Sequence, residues 1–224
     1  MATIRILLGI ICLVIGVRAI EPSVNILRIE ARKVEGWKLE GIGFSGERLG
    51  GSNLGLGVSK LSAVNWKLQA ADRELILAIA QSQIGVREAT GKNDGAAVET
   101  FLTYTGNKKG DPWCASFVSW VYGKAGFSTP KNAWSPSLFP MARLVSDPQA
   151  ADVFGIYFPK LKRIAHCGLV ERSKGNWIYS IEGNTNLAGS REGDGVYRKL
   201  RHKHTIKYYS NWIDKQERRQ FNEN

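Results

Sequence analysis

Cys114, His166 and Glu182 have the side chains and the sequence spacing for thiol chemistry. Cys114 follows Gly110-Asp111-Pro112-Trp113, and Phe117, Val118, Val121 and Tyr122 then recur at helical spacing until Gly123 and Gly126. The thiol therefore falls in the first turn of a helix. Unpaired N–H groups and the positive dipole end favour a thiolate there. His166 lies in Ile164 to Val170, which reads as a strand, and Glu182 closes the next strand, Asn176 to Ile181. Paired as a hairpin, the two strands bring imidazole and carboxylate together across the sheet. Such a set suits attack on an amide carbonyl. The thiolate is the nucleophile, the imidazole moves the proton to the leaving amine, and the carboxylate holds the imidazole tautomer. The backbone N–H of Cys114 is a natural oxyanion donor at a helix start.

These groups need elements to hold them. Leu75, Ile76, Ile79, Ala80 and Ile84 predict a helix over 72–84, with Asp72 as N-cap or first-turn acid and Gly85 as the stop. Lys92-Asn93-Asp94-Gly95 is a turn, and Ala96 to Tyr104 predicts a second helix ended by Gly106. Residues 127–148 read as a loop with a short helix opened by Ser135-Pro136 and interrupted at Pro140. From Asp152 the period shortens. Val153 to Phe158, Ile164 to Val170, Asn176 to Ile181 and Val196 to Leu200 read as strands, separated by Pro159-Lys160, Ser173-Lys174-Gly175 and Gly193-Asp194-Gly195. Helices followed by an antiparallel meander define an α+β domain, its N-terminal helices packed on a small sheet.

The remainder of the chain is read from composition. With 224 residues, 43% of them hydrophobic, there is room for one good core and additional segments. Three cysteines exclude a disulfide-stapled scaffold. Thirty-one basic against 20 acidic residues give a net charge of +11, which favours anionic partners such as nucleic acid, anionic lipid or a polyanionic cell wall. Residues 198–224 carry eight of the basic and three of the acidic side chains, a basic end that also reads as a solvated, solubilising face. Arg5 precedes the apolar run Ile6 to Val17, shorter than the roughly 20 residues of a membrane-spanning helix. With Val17 and Ala19 at the positions a signal peptidase reads, residues 1–19 are expected to be a secretory signal; a buried helix or short anchor is the other reading. Residues 20–70 read as a leader and linker, because seven glycines fall within 41–57.

Pro112-Trp113-Cys114-Ala115-Ser116-Phe117-Val118, Ala165-His166-Cys167-Gly168-Leu169-Val170 and Ile181-Glu182-Gly183-Asn184-Thr185-Asn186 together resemble a CHAP amidase/endopeptidase domain, a branch of the papain-like, NlpC-type cysteine hydrolases. Ile84-Gly85-Val86-Arg87-Glu88 and Asn93-Asp94-Gly95 resemble the lead-in of such domains, and the likeness covers about residues 71–212. It implies a papain-like α+β fold and Cys114, His166, Glu182 and Asn184 as the catalytic positions; residues 213–224, beyond it, read as a charged C-terminal tail. It also implies action on amide bonds of bacterial peptidoglycan, either the muramoyl–L-alanine bond or a bond within the peptide. The same resemblance implies a secreted, periplasmic or wall-associated monomer of bacterial or phage origin. No cofactor and no nucleic acid are expected, and membrane contact only through the signal segment.

Several residues carry two readings. Asn184 either helps hold the imidazole or caps the turn after its strand. Trp113, beside the nucleophile, and Trp134, in the loop, are the candidates for a substrate wall, although aromatics at core spacing are more often core. Cys167 should point away from the partners of His166, as strand neighbours do, and reads as core. No paired C-x2-4-C ligands are present, which argues against zinc. Two other functions fit the same fold: a non-catalytic protein binding cell wall or nucleic acid, and acyl transfer through the same thioester, as in glutathionylspermidine-type amidases.

Overall fold

A computed structural model describes residues 54–188 and 193–213. They belong to the second of two units into which the chain divides, Ser52–Asn224. The expected signal segment, most of the expected leader and nearly all of the tail lie outside the described residues.

Three α-helices come first: α1 (Leu54–Ser82), α2 (Ala96–Tyr104) and α3 (Cys114–Lys124). The last two match the helical spacing seen in the sequence. The first differs, because it begins 18 residues before Asp72, inside the segment read as linker. The physical reason lies beyond the glycines. α1 takes in Gly55 and Gly57, and from Lys60 to Ala71 the chain is rich in Lys, Leu and Ala, good helix formers that outweigh those two glycines. Asp72 is accordingly an interior residue of α1, buried rather than capping. Ile76 and Ala80 are the fully buried face of α1, and Arg73 pairs with Asp152 at 2.8 Å, fixing the helix to the chain entering the sheet.

The sheet has six strands: β1 (Leu144–Val145), β2 (Val153–Phe158), β3 (Arg163–Lys174), β4 (Trp177–Thr185), β5 (Gly195–His202) and β6 (Tyr208–Ser210). They pair antiparallel in the order β1-β6-β2-β3-β4-β5. The four long strands are the expected meander. β1 and β6 are too short to show a period in the sequence, and they complete the sheet beyond β2. A 3-10 turn over Ser135–Leu138 stands where the short helix was expected, ahead of Pro140. The architecture is α+β, with helices gathered on one face of an antiparallel sheet.

The main core lies between that face and the helices. It joins Ile76 of α1, Phe101 and Leu102 of α2, and Phe117, Val118, Val121 and Tyr122 of α3 to Val153, Leu169 and Ile181 of the sheet. A smaller cluster of Phe154, Val170, Ile178 and Ile206 covers the opposite face. Close approach of α3 to β4 depends on Gly183. A Cβ there would meet Phe117 and Trp113 at 2.7 Å, so any side chain would push the helix carrying Cys114 off the sheet. Among the described residues, no helix is long and apolar enough to cross a membrane.

Candidate active site

Cys114 is the first residue of α3 and is 5% exposed. Trp113 precedes it as N-cap without a side-chain cap, and the first turn holds no acid. The N-terminal N–H groups therefore face no carboxylate from their own helix. The Sγ of Cys114 lies 3.4 Å from Ser135 Oγ, in the 3-10 turn.

The β3–β4 hairpin forms as the spacing implied, pairing Leu169 with Ile181 and Val170 with Ser180. This register carries Glu182 to His166. Nε2 of His166 donates to Glu182 Oε2 at 2.8 Å, with the carboxylate fully buried and the imidazole 12% exposed. Gly168 makes room for the pair, since a Cβ there would stand 2.8 Å from Glu182 Cγ.

Glu182 is held by more than histidine. Arg201 of β5 grips it bidentately, Nε to Oε1 at 2.9 Å and Nη2 to Oε2 at 2.6 Å, and Ser180 donates to Oε1 at 2.6 Å. A buried carboxylate is costly unless paired and hydrogen-bonded, and here it accepts four bonds. Burial pushes its pKa up, but Arg201 first and His166 next outweigh that and hold it at about 2. Glu182 is thus ionised throughout the physiological range.

The thiol and the imidazole shift toward an ion pair. Cys114 titrates well below the ordinary thiol value. The largest cause is a hydrogen bond from the Cys167 thiol; burial opposes it, and the neighbouring His166 and then Ser135 add to it. For His166, burial acts to lower the pKa. Hydrogen bonding with Cys114 and Glu182 overrides that and raises it to about 9. Cys167 moves the other way, well above the usual thiol value, because it is buried and then because it donates to Cys114. Its proton stays in place while that of Cys114 leaves.

Cys167 is fully buried in the main core, as expected. His166 and Cys167 are sequence neighbours, and both contribute to the lowered pKa of Cys114. The two pair in regular step with Ile156 and Gly155, and the strand is irregular only just before them. Ile156 pairs with His166 and the next residue, Tyr157, with Ile164, so Ala165 is bulged out just before the histidine.

The other expected site residues separate. Asn184 takes a left-handed backbone conformation (φ 53°), at the irregularity that divides the Glu182 and Thr185 pairings of β4. Asn tolerates this conformation well. It lines the cleft over Cys114, and its described hydrogen bonds do not include one to the imidazole. Trp113 is not a substrate wall. It is fully buried between Phe101 and Phe117, and its indole N–H donates to Glu88 at 2.8 Å. Glu88 also accepts from the Asn93 backbone at 2.8 Å, tying the turn after α1 to the approach to Cys114. Trp134 remains exposed by half, with the Arg163 guanidinium 4.1 Å from its ring centre.

Cys114 and His166 open into a cleft of about 550 Å³. Asn93, Pro112 and Asn184 line it with the thiol; Ile156, Phe158, Leu161 and Leu200 give it apolar walls; Arg163 and Arg201 give it positive charge. Among the described residues, no group of three or more His, Cys, Asp or Glu side chains could hold a metal ion.

No family model matches the chain, and no curated protein matches it. Solved structures do. The peptidoglycan hydrolase RipB from Mycobacterium tuberculosis superposes with a TM-score of 0.43 and 19% identity, over 75% of this chain and 75% of its own. The Ly7917 structure gives 0.37 and 16% identity, over 61% of this chain and 60% of its own. A Staphylococcus aureus protein described as similar to lipoprotein, NLP/P60 family, gives 0.36 and 16% identity, over 64% of this chain and 42% of its own. The chain therefore spans less than two thirds of the last two. Likeness at this level does not transfer an activity; the chemistry rests on the site itself.

Proposed function

We propose that the chain is a thiol-dependent hydrolase of amide bonds in bacterial peptidoglycan, with Cys114 as nucleophile, His166 as proton carrier and Glu182 as the carboxylate that orients it. The observation that carries this reading is the His166–Glu182 pair, imidazole to fully buried carboxylate at 2.8 Å with the carboxylate clamped by Arg201 and Ser180, opening into the same cleft as Cys114 at the start of α3. A structural cysteine has no use for an imidazole whose far nitrogen is anchored at 2.8 Å, nor for a place at an uncapped helix start. The sequence likeness to CHAP domains and the +11 charge support peptidoglycan as the substrate.

The reaction runs in two halves. His166 holds a proton from Cys114, and the thiolate attacks the amide carbon. The developing oxyanion meets the N–H of Cys114 at the start of α3. The imidazolium gives its proton to the leaving nitrogen, so the C–N bond breaks and an amine departs, leaving a thioester. Water then enters, His166 accepts one of its protons, and the thioester opens to a carboxylic acid and the free thiol. Glu182 stays ionised and stabilises the imidazolium at each stage.

Digestion of purified peptidoglycan by the wild-type protein and by Cys114→Ala, with products read by mass spectrometry, tests this directly. New amine and carboxyl ends are expected with the wild type alone, and their masses name the bond. Equal products from both proteins would remove Cys114 from the chemistry. No product from either, across several wall types, would remove peptidoglycan hydrolysis.

A further inference from the structure

The cleft over Cys114 has a charge pattern that the reaction does not need. None of its lining residues is acidic, whereas Arg163 and Arg201 both contribute to it. Arg201 is neutralised locally, because both of its bonding nitrogens are committed to Glu182. Arg163 is different. Among the described residues it forms no ion pair with a carboxylate, and its one described hydrogen bond runs from Nη1 to the carbonyl of Ile164 at 3.0 Å. Three residues before His166 on β3, it sits on the same wall of the cleft as the imidazole.

The way Arg163 is held matters as much as its charge. Its guanidinium carbon lies 4.1 Å from the centroid of the Trp134 indole. Such a contact uses the π face of the cation and leaves its in-plane N–H donors free. A guanidinium fixed through one face and one carbonyl has lost much of its rotamer freedom before a ligand arrives. Two of its remaining donors have the fork geometry that matches a carboxylate. An arginine serving only solubility would more often extend into solvent than stack beside a catalytic cleft.

The geometry points to Arg163, seated on Trp134, as a subsite for a carboxylate of the substrate next to the bond that is cut. This rests on the proposed peptidoglycan reading, whose peptide stems carry free carboxylates, and it adds a preference: acidic stems over stems whose carboxyl groups are amidated. Trp134 then has a role that its exposure alone does not explain, as the platform that aims the arginine.

The test is protection of Cys114 from alkylation by iodoacetamide, using two forms of one probe. The probe is the tripeptide L-alanyl-γ-D-glutamyl-L-lysine, as the free acid and with its carboxyl groups amidated. In the wild type the free acid should protect at a concentration at least tenfold below that of the amide. In Arg163→Gln the two forms should protect alike, while Arg163→Lys keeps part of the difference. Lys174→Gln, which removes the same charge at the far end of β3, should leave the preference intact. Equal protection by the two forms in the wild type, no protection by either, or an unchanged preference in Arg163→Gln would each overturn the subsite. A matching loss in Lys174→Gln would overturn it too, by assigning the effect to overall charge. Failure of the hydrolase reading looks different: the thiol would still be alkylated, and peptidoglycan would stay uncut.

Discussion

Helices α2 and α3 begin in opposite ways. At α2 the chain supplies acids. Glu99, in the first turn, reaches back to the Gly95 N–H at 3.1 Å, and Asp94 just before the helix accepts from both the backbone and the hydroxyl of Thr90. Lys109 lies 3.6 Å from each carboxylate. Neither helix has a side-chain cap, but at α3 there is no acid in the first turn; the residue placed there is Cys114. Both helix starts carry the same backbone partial charge. One uses it on its own side chains for stability, and the other leaves it for a thiolate and an oxyanion. An unfilled helix start next to an anchored imidazole marks a reactive site better than either feature alone.

That contrast can be broken most forcefully on the imidazole side. Glu182→Gln keeps the shape but removes the charge that holds His166⁺, and it leaves Arg201 facing a neutral amide. We expect kcat/KM to fall by about 10²- to 10⁴-fold, the usual scale for disabling a positioned acid–base group. The pH profile should move with it. In the wild type the thiolate–imidazolium pair is lost as pH rises through about 9, where His166 gives up its proton. In Glu182→Gln that basic limb should fall to lower pH. An unchanged limb would show that the carboxylate does not govern the imidazole. Stability carries a related signature. Glu182 has its folded pKa depressed to about 2 from 4.5, so its contribution is present above 4.5 and disappears as pH falls through about 2. The acid arm of the unfolding curve should therefore flatten in the variant.

A smaller effect is expected at Cys167, which supplies the largest cause of the lowered Cys114 pKa. Removing that S–H donor in Cys167→Ala should move the acid limb of iodoacetamide reactivity at Cys114 to higher pH, with the plateau rate nearly unchanged. Cys167→Ser, which keeps a donor, should restore part of the shift. If Ala and Ser behave alike, the sulfur matters for packing and not for the thiolate.

How much of the site is legible in the sequence depends on the kind of signal each residue leaves. Cys114 can be placed because Gly110, Pro112, Gly123 and Gly126 punctuate a helical period on both sides. The His166–Glu182 contact is legible because β3 and β4 are neighbours in sequence, joined by a short turn at Gly175. Arg201 is not. It lies on β5, whose apolar pattern fades at Leu200, and a cation beyond the last apolar residue looks like a solvated charge until β4–β5 pairing brings it over Glu182. The bulge at Ala165 is equally silent in sequence. Closeness to Cys114 along the chain suggests the substrate side for Trp113. Its burial is decided by Phe101 and Glu88, residues of a different helix and of a preceding turn. The early start of α1 is masked by the glycines before it and in its first turn.

The gentlest probe acts on α2, the helix with acids at its start. Glu99 is 43% exposed, and its carboxylate serves α2 without reaching the cleft. Glu99→Ala leaves the Gly95 N–H to water and removes a negative charge from the helix start. Losses of this kind run to about 0.5–1 kcal/mol at partly exposed positions. A urea midpoint lowered by that amount, with the same slope, is the expected result, together with an unchanged rate and pH profile of Cys114 alkylation. The comparison sharpens if both hold, because then identical backbone ends are used for separable purposes. It breaks if alkylation shifts as well. The Phe101–Trp113 contact, with ring centres 5.7 Å apart, would then transmit the loosening of α2 to the residue before the nucleophile, and stability and reactivity would share one packed unit.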